Sequence, residues 1–354
     1  PSAYPAAPRS ATNSIDWRKG RGDISVQVSE GAAMKLIRLG EPGNERPAVL
    51  VDADTYVDVS DEVADYDEAF FGSGGLARLA DVVASRVASG EIEPLGGQRI
   101  GAPIARPHQI LCIGLNYSDH AAETGQRVPA EPILFTKSPN TLIGPNDDVR
   151  IPRGSTKTDW EVELGIVIGS RTSYLDSIAD AAGAIAGYVV VNDVSERAFQ
   201  TERGGQWSKG KSAETFNPCG PWLVTPDEID DVGRLRLWLD VNGERRQRGS
   251  TEFMIFDPLF LVHYLSQFLV LEPGDLINTG TPPGVGMGMQ PPQFLQPGDV
   301  IELGVDGLGT QRQRIAPVPV EGGAGEATTQ AMRAGGRHAD HARGLGHAAA
   351  LVED

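Results

Sequence analysis

Apolar residues in the middle of this chain either alternate with polar ones or form short continuous runs, as they do in β-strands. From about residue 105 the predicted strands are QILCIGLN, ILFTKS, WEVELGIVIG, GYVVVND, RLRLWLDVNG, DLINTG and DVIELGVDG. Helical patterns interrupt them at LDSIADAAGAIAG, where Asp176 is a candidate cap, and at DPLFLVHYLSQFL, where Pro258 lies in the first turn. Helices and strands do not alternate regularly, so the sequence predicts an α+β fold dominated by strands rather than a Rossmann fold.

The chain divides into four predicted segments. Residues 34–100 predict a small N-terminal domain of short strands and one helix, GLARLADVVASRVASG. Residues 101–316 predict the main domain, which begins in a linker rich in Pro and Gly. Residues 1–33 show no periodicity and are interpreted as a tail. Residues 317–354 are rich in Gly, Ala, Arg and His and are predicted to lack a fixed structure.

Charge and cysteine content exclude several classes of function. The formal net charge of −17 argues against a nucleic-acid partner and against an anionic membrane surface, which both attract clustered Lys and Arg. No apolar run approaches the roughly 20 residues of a membrane span, and the N-terminus lacks the apolar core of a secretion signal. Cys112 and Cys219 have no metal or redox spacing. The sequence therefore predicts a cytoplasmic protein.

Two glutamates interrupt the apolar strand in TDWEVELGIVIG, residues 158–169. Because alternate residues of a strand share a face, Glu161 and Glu163 lie on one face and Trp160 and Val162 on the other, with the two acidic Cα atoms about 7 Å apart. A half-exposed strand with solvated acids would explain the pair. The following LGIVIG is apolar on both faces, however, and indicates a covered strand in which unpaired acids are costly. We therefore favour a metal or catalytic site.

A third acid strengthens the metal hypothesis. Asp193 ends the apolar strand in AGYVVVNDVSER, where it can approach a neighbouring strand. Two Glu and one Asp make an all-oxygen site, which suits Mg²⁺, with Mn²⁺ or Ca²⁺ possible, rather than zinc. Three carboxylates also leave coordination positions for water and a chelating substrate.

Three further motifs carry candidate chemistry. In NYSDHAAETG, His120 and Glu123 would share one helix face, where the acid can make the imidazole a general base, although a surface helix turn is the simpler explanation. In QWSKGKSAETF, Lys209 and Lys211 lie in a context of Gly and Ser, where a lysine can approach a developing oxyanion. In NTGTPPGVGMGM, Thr281 and the loop backbone could bind a carboxylate, or the loop could be a plain connection.

These motifs together resemble those of the fumarylacetoacetate hydrolase family. GLNYSDHAAETG, DWEVELGIVIG, NDVSERAFQ, GQWSKGKSAETF and TGTPPGVGMG occur in the family's order and at similar spacings across about residues 105–315. The resemblance implies a mixed β-roll catalytic domain, a small N-terminal domain and a homodimer.

The resemblance also implies roles for individual residues. The metal ligands would be Glu161, Glu163 and Asp193. The dyad that activates water on a lid would be His120 and Glu123, and Lys211 would stabilise charge. The substrate contacts would be Arg197, Gln200 and Thr281.

The implied activity is a Mg²⁺-dependent hydrolase that cleaves a C–C bond in a 2,4-diketo acid and releases pyruvate. The motifs look most similar to those of hydrolases of 2,4-diketo-3-deoxy-L-fuconate or rhamnonate, relatives of which are often labelled ureidoglycolate lyase. Ala213 and Glu214 depart from the common pattern and leave the substrate open. The alternatives are a decarboxylase, isomerase or lyase acting on a 2-keto acid or ureidoglycolate, and, more distantly, a non-catalytic scaffold that binds metal.

Overall fold

The structure is a computed structural model that describes residues 33–119 and 127–317. The strands are β1 Lys35–Leu39, β2 Arg46–Leu50, β3 Thr55–Asp58, β4 Glu93–Pro94, β5 Ile110–Gly114, β6 Ile133–Lys137, β7 Leu142–Ile143, β8 Val149–Arg150, β9 Thr158–Asp159, β10 Val162–Ile168, β11 Ile185–Asn192, β12 Ser195–Glu196, β13 Asn217–Pro218, β14 Leu223–Val224, β15 Arg236–Val241, β16 Glu244–Ser250, β17 Leu276–Asn278, β18 Val300–Val305 and β19 Gly309–Ala316. The α-helices are α1 Glu68–Gly72, α2 Gly75–Ser89, α3 Arg197–Thr201, α4 Ser208–Lys211 and α5 Pro258–Ser266. The 3-10 helices are Pro139–Thr141, Ile178–Ala184, Pro226–Glu228, Val232–Arg234, Thr251–Phe253 and Gly286–Gly288.

Two large sheets organise these elements. The first has ten strands in the described residues, in the order β4-β3-β2-β1-β14-β11-β10-β17-β5-β6, and all its neighbours are antiparallel except β17 and β5. The second has the order β16-β15-β18-β19-β8, with only the last pair parallel within this sheet. Two small two-stranded sheets, β12-β9 and β13-β7, complete the described part. The predicted α+β fold dominated by strands is therefore confirmed.

Strand β10 lies inside the first sheet, between β11 and β17, and is buried along its whole length. Its side chains Val162, Leu164 and Ile166 belong to the core cluster that also contains Leu239 of β15 and Leu303 of β18. Burial of each such side chain contributes about 1.5–3 kcal/mol, so this cluster holds the two sheets together. The strand is covered on both faces, as the apolar run LGIVIG predicts.

The N-terminal strands extend the same ten-stranded sheet. Strand β1 pairs with β14, with Leu36 opposite Leu223, and their side chains share a second core cluster with Val189 of β11. All described residues belong to one compact unit. The boundary near residue 100 between an N-terminal and a catalytic domain stays a prediction, and the predicted tails lie almost entirely outside the described residues.

Two of the three predicted helices form as expected, and one differs. Helix α2 covers the predicted GLARLADVVASRVASG, and α5 begins at Pro258 with the Asp257 side chain accepting a hydrogen bond from the N–H of Phe260. The segment around Asp176 is instead the 3-10 helix Ile178–Ala184, capped by Ser177. It is shorter than predicted because β11 starts at Ile185 and takes the last apolar residues into the sheet. None of the described helices is both long and apolar enough to cross a membrane.

Candidate functional site

Three predicted acids converge where β10 begins and β11 ends. The strands are antiparallel with Val162 opposite Asn192, so Glu161, just before β10, lies beside Asp193, just after β11. One carboxylate oxygen from each of Glu161, Glu163 and Asp193 lies within 4.8 Å of the others, and all three residues are buried. The predicted metal cluster is therefore present as a geometric group.

Backbone hydrogen bonds fix this corner of the sheet. The N–H of Asp193 donates to the carbonyl of Glu161 at 2.9 Å, and the N–H of Glu161 donates to Oδ1 of Asn192 at 3.1 Å. The N–H of Val162 donates to the buried side chain of Gln247 at 2.9 Å. The side chains of Asn192 and Gln247 thus replace the backbone partners that the interrupted strand lacks. The backbone that carries the side chains of Glu161 and Asp193 is therefore held in place by hydrogen bonds.

Three buried cations surround the carboxylates. Nζ of Lys211 donates to Glu161 and Asp193, at 2.7 Å each. Nζ of Lys137 donates to the other oxygen of Asp193 and to the carbonyl of Val194. Nη1 of Arg197 lies 2.6 Å from Glu161. Buried charges are tolerated when they are paired and hydrogen-bonded in this way.

The two glutamates differ in electrostatic environment. Burial by itself raises the pKa of Glu161, but the charges of Lys211 and Arg197 outweigh burial and lower this pKa to about 2. Burial, followed by the charges of Asp193 and Glu161, raises the pKa of Glu163 well above its ordinary value. Glu163 therefore ionises with more difficulty than Glu161 when no metal is bound.

The pKa values of the buried lysines Lys211 and Lys137 shift in opposite directions. Burial disfavours the charge of Lys211, but Asp193 and Glu161 outweigh it and raise the pKa, so its ammonium form persists. Burial lowers the pKa of Lys137, with Asp193 opposing and the charge of Lys211 adding to the effect. Lys211 can consequently donate hydrogen bonds to a developing anion but is a poor base.

The donor set fits a hard divalent ion. Oε2 of Glu163 accepts from the N–H of Gly280 at 2.8 Å, whereas Oε1 has no hydrogen-bond or ion-pair partner within residues 33–119 and 127–317. The three acids of the cluster and the ion pairs connected to them contain four carboxylates, Asp159, Glu161, Glu163 and Asp193, and three cations, Lys137, Arg197 and Lys211. When all of these groups are ionised, the network carries one unmatched negative charge. An all-oxygen cluster with an unmatched negative charge suits Mg²⁺ or Mn²⁺.

The three predicted substrate contacts lie around this cluster. Arg197 and Gln200 are both on α3, and Oε1 of Gln200 accepts from Nη1 of Arg197 at 3.1 Å. The hydroxyl of Thr281 donates to the carbonyl of Val162 at 2.9 Å and accepts from Gln247 at 2.8 Å. This hydroxyl therefore retains one lone pair for a ligand but no free donor.

The predicted dyad, His120 and Glu123, lies outside the described residues. The segment that leads to it begins at the site, because Nδ2 of Asn116 donates to the carbonyl of Thr279 at 2.8 Å. A Cβ on the neighbouring Gly280 would come within 2.8 Å of Cβ of Asn116. Asn116 is thus packed against the loop whose N–H binds Glu163.

Sequence reasoning missed three buried polar residues of this region: Lys137, Asp159 and Gln247. Lys137 ends the strand ILFTK, a position that is indistinguishable in sequence from a solvated lysine at a strand end. Gln247 occupies the single fully buried position of β16, in the polar run ERRQRGS. Asp159 continues the alternate spacing of Glu161 and Glu163, and this spacing was the one signal that could have identified it.

Comparisons with known proteins agree with the geometry. The profile described as fumarylacetoacetate (FAA) hydrolase C-terminal matches residues 109–316. A Burkholderia cenocepacia protein, whose name suggests only a hydrolase, is 51% identical over 281 residues, which are 79% of this chain and 98% of that protein. Curated relatives of this kind support a hydrolase without defining its substrate.

Solved structures show the same fold. A fumarylacetoacetate hydrolase from Exiguobacterium antarcticum has a TM-score of 0.71 at 34% identity and covers 80% of this chain and 99% of its own. A 2-hydroxyhepta-2,4-diene-1,7-dioate isomerase from Mycobacterium marinum has a TM-score of 0.65 at 31% identity, covering 81% and 100%. The profile match, the 51% identity to the Burkholderia cenocepacia protein and the carboxylate cluster lead to one conclusion: the chain belongs to the fumarylacetoacetate hydrolase family.

Proposed function

We propose that this protein is a divalent-metal-dependent hydrolase that cleaves the C3–C4 bond of a 2,4-diketo acid and releases pyruvate. The observation that carries the proposal is the convergence of Glu161, Glu163 and Asp193 within 4.8 Å, with one oxygen of Glu163 lacking a partner in the described chain. The preferred substrates are sugar-acid-derived diketo acids or acylpyruvates, as the motif resemblance implies.

The three carboxylates would hold the ion, and Mg²⁺ is the proposed one. When bound, it would supply Lewis-acid stabilisation for an enolate oxygen of the substrate. A charge of +2 would turn the unmatched negative charge of the site into one positive charge. Such a site attracts the carboxylate of a 2-keto acid, and the partnerless Nη2 of Arg197 is available within the described residues to bind it.

His120 is the proposed base and Glu123 its orienting partner. His120 takes a proton from water, and the resulting hydroxide attacks the C4 carbonyl. Asn116, which lies four residues before His120 in the chain, supports this role. The side chain of Asn116 is packed against Gly280 beside the cluster.

Lys211 is the proposed donor to the C4 oxyanion. Two of its three N–H groups bind Glu161 and Asp193, so one remains for the substrate oxygen. The raised pKa of Lys211 keeps this donor charged while negative charge develops. Collapse of the tetrahedral intermediate then breaks the C3–C4 bond and leaves the pyruvate enolate to be protonated.

A second function stays open because the solved relatives include proteins named isomerases. The Mycobacterium marinum structure at 31% identity is named an isomerase, and the same site could stabilise an enolate during isomerisation or decarboxylation. Hydrolysis differs from both by requiring a base for water, which is the role proposed for His120.

The homodimer likewise remains a prediction from the family resemblance.

The deciding experiment is a screen of 2,4-diketo acids with metal-stripped protein, with and without added Mg²⁺ or Mn²⁺. Pyruvate release and the second acid product are followed together, and oxaloacetate tests for decarboxylation. We expect metal-dependent pyruvate release that Glu161→Gln removes together with metal affinity. His120→Ala should retain metal and lose hydrolysis. Absence of pyruvate from every acid with either metal would reject the proposal.

A further inference from the structure

Asp159 is a buried acid close to the carboxylate cluster that is not part of it. It precedes Glu161 by two residues, so an uninterrupted strand would place its side chain on the same face. The strand breaks at residues 160–161 instead, between β9 and β10. The carboxylate of Asp159 consequently turns toward α3 and toward the loop after Gly280.

Three of the four hydrogen bonds to the Asp159 carboxylate come from these neighbouring elements. Oδ1 accepts from the N–H of Trp160 at 2.8 Å and from that of Gly286 at 2.7 Å. Oδ2 accepts from the N–H of Met287 at 3.0 Å and from Nε of Arg197 at 2.8 Å. With both oxygens used twice and no exposed surface, Asp159 has no capacity left to ligate a metal.

The bond to Nε determines the direction in which Arg197 points. The guanidinium is planar, so fixing Nε fixes both terminal nitrogens. Nη1 then reaches Glu161 at 2.6 Å and Gln200 at 3.1 Å. Nη2 has no hydrogen-bond partner in the described chain and is the donor left for a ligand.

The same carboxylate holds the far end of the loop that begins at Gly280. The N–H of Gly280 binds Glu163 at one end, and those of Gly286 and Met287 bind Asp159 at the other. A Cβ at Gly286 would lie 2.0 Å from the carbonyl of Gln293 and 2.8 Å from Oδ1 of Asp159, so the contact requires glycine. Asp159 therefore links the loop and Arg197 into one unit.

We propose that Asp159 is a positioning residue for substrate binding, which aims the guanidinium of Arg197 at the carboxylate of a bound 2-keto acid. The proposal rests on the function proposed above. It predicts that substitution of Asp159 weakens ligand binding through Arg197, rather than metal binding or overall stability.

A double-mutant cycle tests this assignment, with Asp159→Asn, Arg197→Lys and the combined variant. The first readout is the Kd of pyruvate for Mn²⁺-loaded protein, measured by calorimetry. The second is the Kd of Mn²⁺ alone, and the third is Tm. We expect each single substitution to raise the pyruvate Kd by roughly tenfold, as for loss of one charge-assisted hydrogen bond.

In the Arg197→Lys background, Asp159→Asn should change the pyruvate Kd by less than about twofold, because both act through one guanidinium. In the single variant Asp159→Asn, the Kd of Mn²⁺ should stay within about twofold of its value in the unmodified protein. Independent, multiplicative effects on pyruvate affinity would overturn the proposal, and so would a tenfold loss of Mn²⁺ affinity. If Asp159→Asn does not fold, Asp159→Glu keeps the charge but displaces the guanidinium, and the same cycle applies.

These outcomes are separable from those of the proposed function. If the unmodified protein binds pyruvate but turns over no 2,4-diketo acid, the hydrolase proposal fails while the cycle still decides the role of Asp159. If it turns over diketo acids and the cycle is additive, only the role of Asp159 is rejected.

Discussion

Glu163 differs from the other two acids of the cluster because no cation forms an ion pair with it in the described chain. Its pKa is raised by burial and by the charges of Asp193 and Glu161, so without metal it retains a proton at pH values where an ordinary Glu has lost it. A divalent ion must displace that proton. Below the raised pKa, a fall in pH therefore opposes metal binding.

We expect the Kd of Mn²⁺ to increase by up to about tenfold for each unit by which the pH falls below the raised pKa of Glu163, since one proton is released per ion. Calorimetry in buffers of different ionisation enthalpy measures that proton directly. Glu163→Gln is the control, because it binds more weakly and has no proton to release. A Kd independent of pH in the unmodified protein contradicts this interpretation.

Lys211 and Lys209 provide a matched pair two residues apart on α4. Lys211 is buried against Glu161 and Asp193, whereas Lys209 is exposed and donates to the carbonyl of Arg203 at 2.8 Å. Lys211→Met should lower kcat by roughly 10²–10³, the usual result of losing one oxyanion donor. Lys209→Met should leave kcat within about twofold. Steady-state kinetics on the best diketo acid compares the two, and equal kcat values would remove Lys211 from the mechanism.

The short helices α3 and α4 position Arg197 and Lys211, and their packing depends on one glycine. A Cβ at Gly210 would lie 2.4 Å from the carbonyl of Glu196 and 2.6 Å from the N–H nitrogen of Gln200. The backbone of α4 therefore rests directly on the start of α3. No rearrangement of a flexible side chain could relieve this contact, because its partners are backbone atoms.

Gly210→Ala should displace α4 and with it the ammonium of Lys211. We expect kcat to fall at least about tenfold, since small displacements of catalytic groups are costly, together with a lower Tm. Gly183→Ala is the control, because a Cβ there meets nothing within 4 Å. An unaffected kcat in Gly210→Ala would contradict this prediction, because it would show that α4 accepts the added methyl group without displacing Lys211.

The sheet of ten strands runs through both predicted domains, so their stabilities should be coupled. Strands β1 to β4 form one end of this sheet, and Met34, Leu36 and Val49 share a core cluster with Val189 and Leu223. The side chain of Arg38 adds contacts to the carbonyls of Ala102 and Ile104. Removal of the N-terminal strands would expose apolar surface and leave β14 as an open edge.

We expect a chain of residues 101–317 to unfold or aggregate rather than to form an active domain. Circular dichroism during heating and light scattering test this against residues 33–317. A cooperative transition and full activity in the shorter chain would instead establish the predicted domain boundary near residue 100.

Much of the site was predictable from local patterns. A period of two residues places Glu161 and Glu163 on one face, and an acid at the end of the next strand can reach them when the strands are neighbours. These are properties of short segments, so they can be read without knowledge of the fold. The family motifs added Arg197, Gln200, Lys211 and Thr281, which the structure places around the carboxylates, while His120 and Glu123 lie outside its described residues.

Other features depend on contacts between residues far apart in the chain. Lys137 meets Asp193 across 56 positions, and Gln247 reaches Val162 across 85. Nothing local distinguishes this lysine from a solvated one, because the partner that accounts for its burial is brought in by the sheet. Asp159 shows the reverse case, since its spacing predicts a place in the cluster and the break in the strand removes it. Local sequence thus determined which acids could meet, and tertiary packing decided which cations balance them and where Arg197 points.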